Sequence, residues 1–287
     1  MIYKATEIKI TKTKLVIGVP EPFKLLHVTD SHLIYSDDQD SDMQRKLMAM
    51  RREAYDSKHG DNCCRRWCDA LFQYAKDNGE LLVHTGDLID YVSHGNLVQA
   101  RDVMDTLDDY FFVAGNHEFT QYMGFWPGDP DFREKNEASV KAVFKNDISC
   151  CAREYKGVNL VGLETKKSQI SAEQLNFLRA QFDKGLPVLL FYHEPFYTPG
   201  LYNRIVTDFN EGDHQTLGEP DVLHPDSSYR ATNETLAFME LVKNHPLMKG
   251  AFTGHFHFTY NDPLPSGAQQ YLTAGSFLGM AREIEIV

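Results

Sequence analysis

The sequence predicts a layered α/β fold with parallel strand pairing. Short apolar runs of strand length alternate with amphipathic segments of helix length along most of the 287 residues. Several of these apolar runs end directly in polar motifs rich in Asp, Asn and His. The chain is 42% hydrophobic, which is enough for one large core, and no linker-like stretch marks a boundary. We therefore expect residues 1–287 to form a single domain.

The first elements follow from local patterning. Residues 5–17 alternate between apolar and polar side chains and predict an edge strand or hairpin, and residues 23–29 predict the first buried strand. Residues 33–60 are acidic at first and then helical in composition. Residues 62–77 place apolar side chains at helical spacing, and a strand is predicted at 81–85. This order already favours a parallel sheet covered by helices.

The middle of the chain continues the alternation. A helix is predicted at 95–107, a strand at 110–114 and, after a long aromatic-rich segment, a strand at 158–163. A capping box opens a helix over residues 171–182, because Ser171 is followed three residues later by Gln174. Residues 187–192 predict another buried strand.

The last part of the chain begins with a long segment, 196–229, that has no regular pattern. A segment of this length inside a compact domain is usually functional or mobile. A helix at 233–244 and a strand at 248–253 follow, and residues 271–274 and 283–287 predict closing strands.

Oxygen and imidazole side chains collect where the predicted strands end. The motifs are Asp30-Ser31-His32, Gly86-Asp87, Gly115-Asn116-His117-Glu118, His193-Glu194-Pro195 and Gly254-His255-Phe256-His257. In open α/β sheets the carboxyl ends of the strands form the edge where ligands bind. Since positions i and i+2 of a strand point the same way, Asp30 and His32 can address one site, and so can His255 and His257. The sequence therefore predicts a metal site at this edge.

The composition of this group indicates which metals it suits. Carboxylates, imidazoles and an amide oxygen, with no thiolate, fit divalent or trivalent first-row ions such as Mn, Fe or Zn rather than a structural zinc knot. The candidate ligands are Asp30, His32, Asp87, Asn116, His193, His255 and His257. This number exceeds the four that fill one tetrahedral ion, so we predict two ions that share the carboxylate of Asp87. A shared carboxylate would hold the ions roughly 3.5–4 Å apart.

The motif set D-x-H, G-D, G-N-H-E, H and G-H-x-H resembles the calcineurin-like metallophosphoesterase superfamily, from residue 24 to about residue 277. The resemblance implies a four-layer α/β/β/α sandwich with two mixed central sheets. It also implies a dinuclear metal-dependent phosphoesterase. Such an enzyme hydrolyses a phosphodiester or phosphomonoester by attack of a hydroxide that bridges the two ions.

The resemblance assigns roles to individual residues. One ion would be held by Asp30, His32, Asp87 and His257. The other ion would be held by Asp87, Asn116, His193 and His255. His117 would be the catalytic histidine beside the scissile phosphate, and Glu118 occupies the position of its acidic partner, where aspartate is more common. Asn116 and His117 would contact the substrate. We add Arg204 as a further hypothesis, because arginine suits bidentate contacts with phosphate.

Several neighbouring side chains admit more ordinary roles. We expect His27 and His84, which lie within strands, to be core groups or to support the ligands. Asp90 could orient a metal ligand or cap the following helix, and the sequence leaves both open. We expect Tyr122, Phe125 and Trp126 to pack locally rather than wall a pocket. The basic pair Arg51-Arg52 predicts a solvated helix face.

Charge and cysteine content limit the possible partners. The formal net charge of −12 repels polyanions, which disfavours nucleic acid and favours a small phosphorylated substrate drawn in by the metals. The five cysteines include two adjacent pairs, which does not suggest a disulfide framework, so we expect a cytoplasmic protein. No apolar stretch approaches the length of a membrane span. The oligomeric state stays open.

Two functions of other classes compete with the hydrolase. One is a metallophosphoesterase-like scaffold that binds metal and acts as a non-catalytic interaction module. The other is a mononuclear oxygenase that uses two histidines and a carboxylate. The intact ligand set argues against the first alternative, and the excess of ligands argues against the second.

Overall fold

The computed structural model describes residues 7–166, 168–209, 216–220 and 230–287. In chain order its strands are β1 Lys9–Leu15, β2 Phe23–Val28, β3 Leu81–His84, β4 Tyr110–Phe112, β5 Cys150–Tyr155, β6 Val158–Leu163, β7 Val188–Tyr192, β8 Met248–Thr253, β9 Tyr260–Pro263, β10 Gln269–Leu272 and β11 Met280–Ile286. Its helices are α1 Asp42–His59, α2 Cys63–Asn78, α3 His94–Met104, α4 Phe132–Lys141, α5 Ala172–Phe182, α6 Pro199–Phe209 and α7 Asn233–Asn244.

The strands form two mixed sheets. The first sheet has the order β1-β11-β2-β3-β4, in which β2, β3 and β4 run parallel and β11 runs antiparallel to β2. The second sheet has the order β5-β6-β7-β8-β10-β9, with a parallel centre from β6 to β10 and antiparallel strands at both edges. The alternation of strand and helix in the sequence had predicted the parallel centres.

The sheets pack face to face, with helices on both outer faces. Leu25, Val83 and Phe111 of the first sheet share one buried cluster with Phe191 and Phe252 of the second. On the other face of the first sheet, apolar side chains of α2 and α3 complete a second cluster. Helices α5 and α7 do the same for the second sheet. This arrangement confirms the four-layer α/β/β/α sandwich.

One segment that was predicted to be irregular contains a helix. Part of the segment 196–229 forms α6, whose Leu201 and Ile205 are buried against Phe256. These two residues are spaced i and i+4, so the amphipathic signal was present but short. Residues 210–215 and 221–229 lie outside the described residues. The aromatic-rich segment contains α4, and Tyr122 packs edge-on against Trp126 at 6.0 Å, as expected for local packing.

The cysteines and the apolar helices raise no further site. All five cysteines are free, and Cys63, Cys64 and Cys68 are buried on α2. Within the described residues, no helix has the combination of length and apolarity that crossing a bilayer requires.

A buried arginine ties the two sheets together. Arg282 on β11 is fully buried and donates to Thr13 Oγ1 at 2.6 Å in its own sheet. It also donates to Asn261 Oδ1 at 3.0 Å and the carbonyl of Leu272 at 2.9 Å in the other sheet, and to Thr273 Oγ1 at 3.1 Å. Burial lowers the pKa of Arg282 to about 10. The planar guanidinium meets four acceptors at once, which a lysine cannot do.

We predict that Arg282→Lys lowers the free energy of unfolding by about 3 kcal/mol, because at least two hydrogen bonds from a charged donor are lost. Chemical denaturation would measure the change. The matched control is Arg153→Lys, since Arg153 pairs with the exposed Asp109 and exposed pairs contribute about 1 kcal/mol or less. Equal effects of the two substitutions would contradict the bridging role of Arg282.

Candidate metal centre and active site

Five predicted ligands leave their strands in the left-handed backbone region. Their φ angles are 52° for Asp30, 47° for His32, 55° for Asp87, 74° for His255 and 60° for His257. Residues other than glycine seldom adopt this conformation, and it is concentrated at functional sites. The side chains therefore converge through abrupt turns rather than through the pleat of a strand. Strand alternation had predicted that Asp30 and His32 converge, and likewise His255 and His257. They do converge, but through left-handed turns instead of the pleat.

Two glycines permit the close approach of these turns. A Cβ atom at Gly115 would overlap the carboxylate of Asp87, and one at Gly254 would overlap the side chains of Thr29 and Asp30. Side chains at either position would push the carboxylates out of the site. This is the physical reason for glycine at the start of the third and fifth motifs.

The first ligand group surrounds Asp30. Its Oδ1 atom lies 3.3 Å from His257 Nε2 and 3.7 Å from His32 Nε2, and these two ring nitrogens are 3.2 Å apart. Its Oδ2 atom accepts hydrogen bonds from Thr29 Oγ1 and the amide of His255. Among the described residues, Oδ1 has no hydrogen-bond donor. The buried oxygen is thus available to a cation.

The second ligand group surrounds Asp87. Its Oδ2 atom lies 3.0 Å from His193 Nε2, which in turn lies 3.3 Å from His255 Nδ1. His193 donates from Nδ1 to the carbonyl of Thr85 at 2.7 Å, so its Nε2 atom faces the group. The side-chain oxygen of Asn116 is buried and has no donor among the residues that the structure describes. The contact between His193 and Thr85 also joins the carboxyl edges of the two sheets.

The charges of the two groups fit cations between them. Burial raises the pKa of Asp30, but His257 and His193 outweigh it and hold that pKa well below its usual range. Burial lowers the pKa of His193, but Asp87 and Asp30 outweigh it and raise that pKa to about 10. In contrast, burial and the charge of His193 lower the pKa of His255 to about 3. The two buried carboxylates therefore need positive charge nearby. Protons on the imidazoles supply it unevenly, because the pKa of His193 is raised and that of His255 is lowered.

The ligand sets match the predicted pairing. Asp30, His32 and His257 bring their ligand atoms within 4.8 Å of one another, and so do Asp87, His193 and His255. Asp87 also lies within this distance of His32 and His117, so its carboxylate faces both groups. The oxygens left without donors on Asp30 and Asn116 belong to different predicted ions. The residues present fit two ions.

Asp90 organises the side chains behind the ligands. Its carboxylate accepts from His32 Nδ1 at 3.1 Å and from Arg51 Nε at 2.6 Å and Nη2 at 2.8 Å. Its carbonyl accepts from His117 Nδ1 at 2.7 Å. The N-cap of α3 is Ser93, so the capping role considered for Asp90 is wrong. The hydrogen bond to His32 fits the other role considered, that of orienting a predicted ligand.

The expected partnership of Glu118 with His117 needs correction. The carboxylate of Glu118 accepts hydrogen bonds from the backbone amides of Asp87 at 2.8 Å, Leu88 at 2.7 Å and Gly115 at 2.7 Å. Its position is buried, and burial together with the charge of Asp87 raises its pKa to about 7. Glu118 therefore holds two ligand-bearing turns together, while the backbone and carboxylate of Asp90 face His117. The resemblance predicted that Glu118 lies near this site, but not that its carboxylate points at backbone amides instead of at His117.

The remaining predicted groups divide into supporting and outlying residues. His27 hydrogen-bonds to Thr85 Oγ1 at 2.9 Å and His84 to Ser31 Oγ at 3.0 Å, as expected for buried supporting groups. Arg204 lies on α6 with its guanidinium 5.5 Å from the ring of Phe258. Its contact with a phosphate stays a prediction.

Sequence reasoning missed Arg51. It was assigned to a solvated helix face, but its guanidinium forms a salt bridge with Asp90 and is largely buried. The available signal was its spacing from Tyr55, four residues later on the same helix face, where the two side chains contact each other. An adjacent arginine, Arg52, hid that signal because it made the pair look like a charge run.

We predict that Glu118→Gln lowers the free energy of unfolding of the metal-free protein by about 3 kcal/mol. The amide would present N–H groups to backbone donors that now share a carboxylate. Thermal or chemical unfolding in the presence of a chelator would measure this loss. An unchanged stability with only a lower kcat would restore Glu118 as a catalytic partner of His117.

The chain is similar to known proteins in its sequence pattern and in its fold. A family model described as calcineurin-like phosphoesterase matches residues 23–258. A dimetal phosphatase from Danio rerio has a similar structure, with a TM-score of 0.51 and 16% identity over 89% of this chain and 88% of that chain. At this identity the likeness shows the fold alone.

Other similar structures are more distant. A 5'-nucleotidase from Candida albicans has a TM-score of 0.44 and 10% identity over 95% of this chain and 48% of that chain. A phosphopantetheinyl hydrolase from Mycobacterium tuberculosis has a TM-score of 0.42 and 10% identity over 92% and 90% of the two chains. No curated protein sequence matches the chain significantly.

Proposed function

Because the chain belongs to the calcineurin-like phosphoesterase family, we propose that it is a dinuclear metal-dependent hydrolase of phosphate esters. One observation carries this proposal. The carboxylates of Asp30 and Asp87 are buried among imidazoles, and Oδ1 of Asp30 and of Asn116 has no donor among the described residues. A buried anionic cluster of this kind is stable when cations fill it.

The proposed ligands follow the two groups. Asp30, His32 and His257 would hold one ion, Asn116, His193 and His255 the other, and Asp87 both. When bound, the ions would lower the pKa of water to supply the nucleophile and would polarise the phosphoryl group. Mn, Fe and Zn all suit this donor set.

His117 is proposed to give a proton to the leaving oxygen. Its Nδ1–H donates to the carbonyl of Asp90, which fixes the ring so that Nε2 faces the ligand groups, 3.7 Å from Asp87 Oδ2. The carboxylate of Asp90 lies 3.6 Å from Nδ1 and would stabilise the imidazolium. A positioned imidazolium is an effective general acid. Asn116 and Arg204 are proposed as further contacts of the substrate.

The proposed substrate is a small phosphorylated molecule in the cytoplasm. A net charge of −12 disfavours the long polyanion of a nucleic acid but leaves a short phosphate ester free to reach the cations. The competing function is a non-catalytic module that binds the metals and interacts with other molecules. The catalytic geometry of His117 favours the hydrolase, since a module that only binds needs no oriented proton donor.

We predict that chelator-stripped protein hydrolyses neither p-nitrophenyl phosphate nor bis(p-nitrophenyl) phosphate, and that added Mn²⁺ restores turnover of at least one. The reason is that the nucleophile is produced only with the metals bound. Release of p-nitrophenol measures both rates, and their ratio indicates a preference for monoester or diester. Two bound metals without turnover of either ester would favour the binding module.

We predict that His117→Ala lowers kcat about 10²–10⁴-fold, the usual contribution of a general acid, while the metal content stays near two ions. Steady-state kinetics and elemental analysis measure the two quantities. His94→Ala is the matched control, because His94 is exposed and pairs with Asp37 away from the ligand groups. A variant that retains full activity would remove His117 from the mechanism.

A further inference from the structure

A cavity of about 240 Å³ opens beside His257, between helix α1 and Phe277. Resting on the proposed hydrolysis of phosphate esters, we propose that this cavity receives the organic group of the substrate. The lining indicates a planar aromatic ring that carries an anionic substituent. The subsite would set the choice among phosphate esters, which the shared motifs do not encode.

One face of α1 forms the cavity wall. Arg51, Ala54, Tyr55 and Lys58 line the cavity, and their spacing of i, i+3, i+4 and i+7 places them on a single helical face. Arg51 anchors this face, since its guanidinium holds both carboxylate oxygens of Asp90. The wall is therefore fixed relative to His32 and His117, which contact the same residue. A substrate group in the cavity would be placed relative to the reacting phosphate.

The apolar part of the lining is aromatic. The ring of Phe277 lies 4.9 Å from that of Tyr55, 5.2 Å from that of His59 and 5.0 Å from that of His257. The rings stand nearly perpendicular to Phe277 in the first and last of these pairs, which leaves ring faces and edges for a further planar group. The volume lies below the range of 300–1,000 Å³ typical of drug-sized ligands, so it suits a single ring system.

The charged part of the lining is cationic. No carboxylate is among the residues that line the cavity, although the whole chain carries a net charge of −12. The charge of Arg51 is already matched by Asp90, whereas Lys58 is exposed and makes no ion pair within the described part of the chain. The Nδ1 atom of His59, which also lines the cavity, is buried and has no hydrogen-bond partner within the described part of the chain. Lys58 is thus the cation available to an anionic substituent.

Binding of phosphonates tests this subsite without requiring turnover. Isothermal titration calorimetry of the Mn²⁺-loaded protein would compare methylphosphonate, phenylphosphonate and 4-carboxyphenylphosphonate. We expect phenylphosphonate to bind about tenfold more tightly than methylphosphonate, because its ring is buried against aromatic side chains. The carboxyl group is expected to add about threefold through Lys58.

Three variants separate the contributions. Tyr55→Leu is expected to lower the ratio of the affinity for phenylphosphonate to that for methylphosphonate. Lys58→Gln is expected to remove only the gain from the carboxyl group, and its exposed position makes misfolding a poor explanation. Lys46→Gln is the matched control, because it makes the same charge change on α1 outside the cavity.

The outcomes distinguish the subsite from the hydrolysis. Equal affinities for methyl and phenyl compounds in the unaltered protein, or a carboxyl gain that survives Lys58→Gln, would overturn the subsite even if p-nitrophenyl esters are cleaved. A phenyl preference that Tyr55→Leu removes would support the subsite even if no ester is cleaved, and only the hydrolysis would then fail. A protein that binds none of the phosphonates would overturn the subsite as well.

Discussion

The architecture of the site depends on two carboxylates that are buried where the carboxyl edges of both sheets meet. Asp30 follows a strand of the first sheet and lies within 4 Å of imidazole nitrogens that the second sheet supplies, and Asp87 does the same. Such a concentration of buried anions is unfavourable unless positive charge accompanies it. Five imidazoles converge on these carboxylates. The hydrogen-bond donors of the described residues leave Oδ1 of Asp30 and of Asn116 without a partner, so these oxygens can face a cation. Cations would therefore stabilise the folded site as well as supply its proposed chemistry.

A second layer of interactions keeps this cluster from relaxing. Glu118 holds the left-handed turn at Asp87, because its carboxylate accepts hydrogen bonds from the amides of Asp87 and Gly115, which belong to two separate motifs. Asp90 holds His32, His117 and Arg51 at once, and so it joins a proposed metal ligand, the proposed proton donor and helix α1. Strain in the turns is thus balanced by hydrogen bonds to buried charges, which are stronger than ordinary ones. The same connection places the aromatic cavity on α1 at a fixed position beside the ligand groups.

Much of this organisation could be predicted from the sequence. The buried strands and most helices followed from hydrophobic periodicity, and the candidate ligands followed from the motifs at strand ends. The predictions that failed concern where a side chain points, not which residues belong to the site. The pleat predicted that Asp30 and His32 would converge, but left-handed turns bring them together. Glu118 was placed near His117 by its position in the chain, but its carboxylate points at backbone amides. No periodic pattern records where a side chain points once a strand has ended. Arg51 was missed for another reason, because the adjacent Arg52 made the pair resemble a run of solvated charges on α1.

The most direct test of the dinuclear centre is a crystal structure of the protein grown with Mn²⁺, with anomalous diffraction used to locate the ions. We expect two anomalous peaks, one beside Asp30, His32 and His257 and the other beside Asn116, His193 and His255. The carboxylate of Asp87 would lie between them, with the peaks roughly 3.5–4 Å apart. A single peak, or two peaks that Asp87 does not join, would contradict the dinuclear centre on which the proposed chemistry depends.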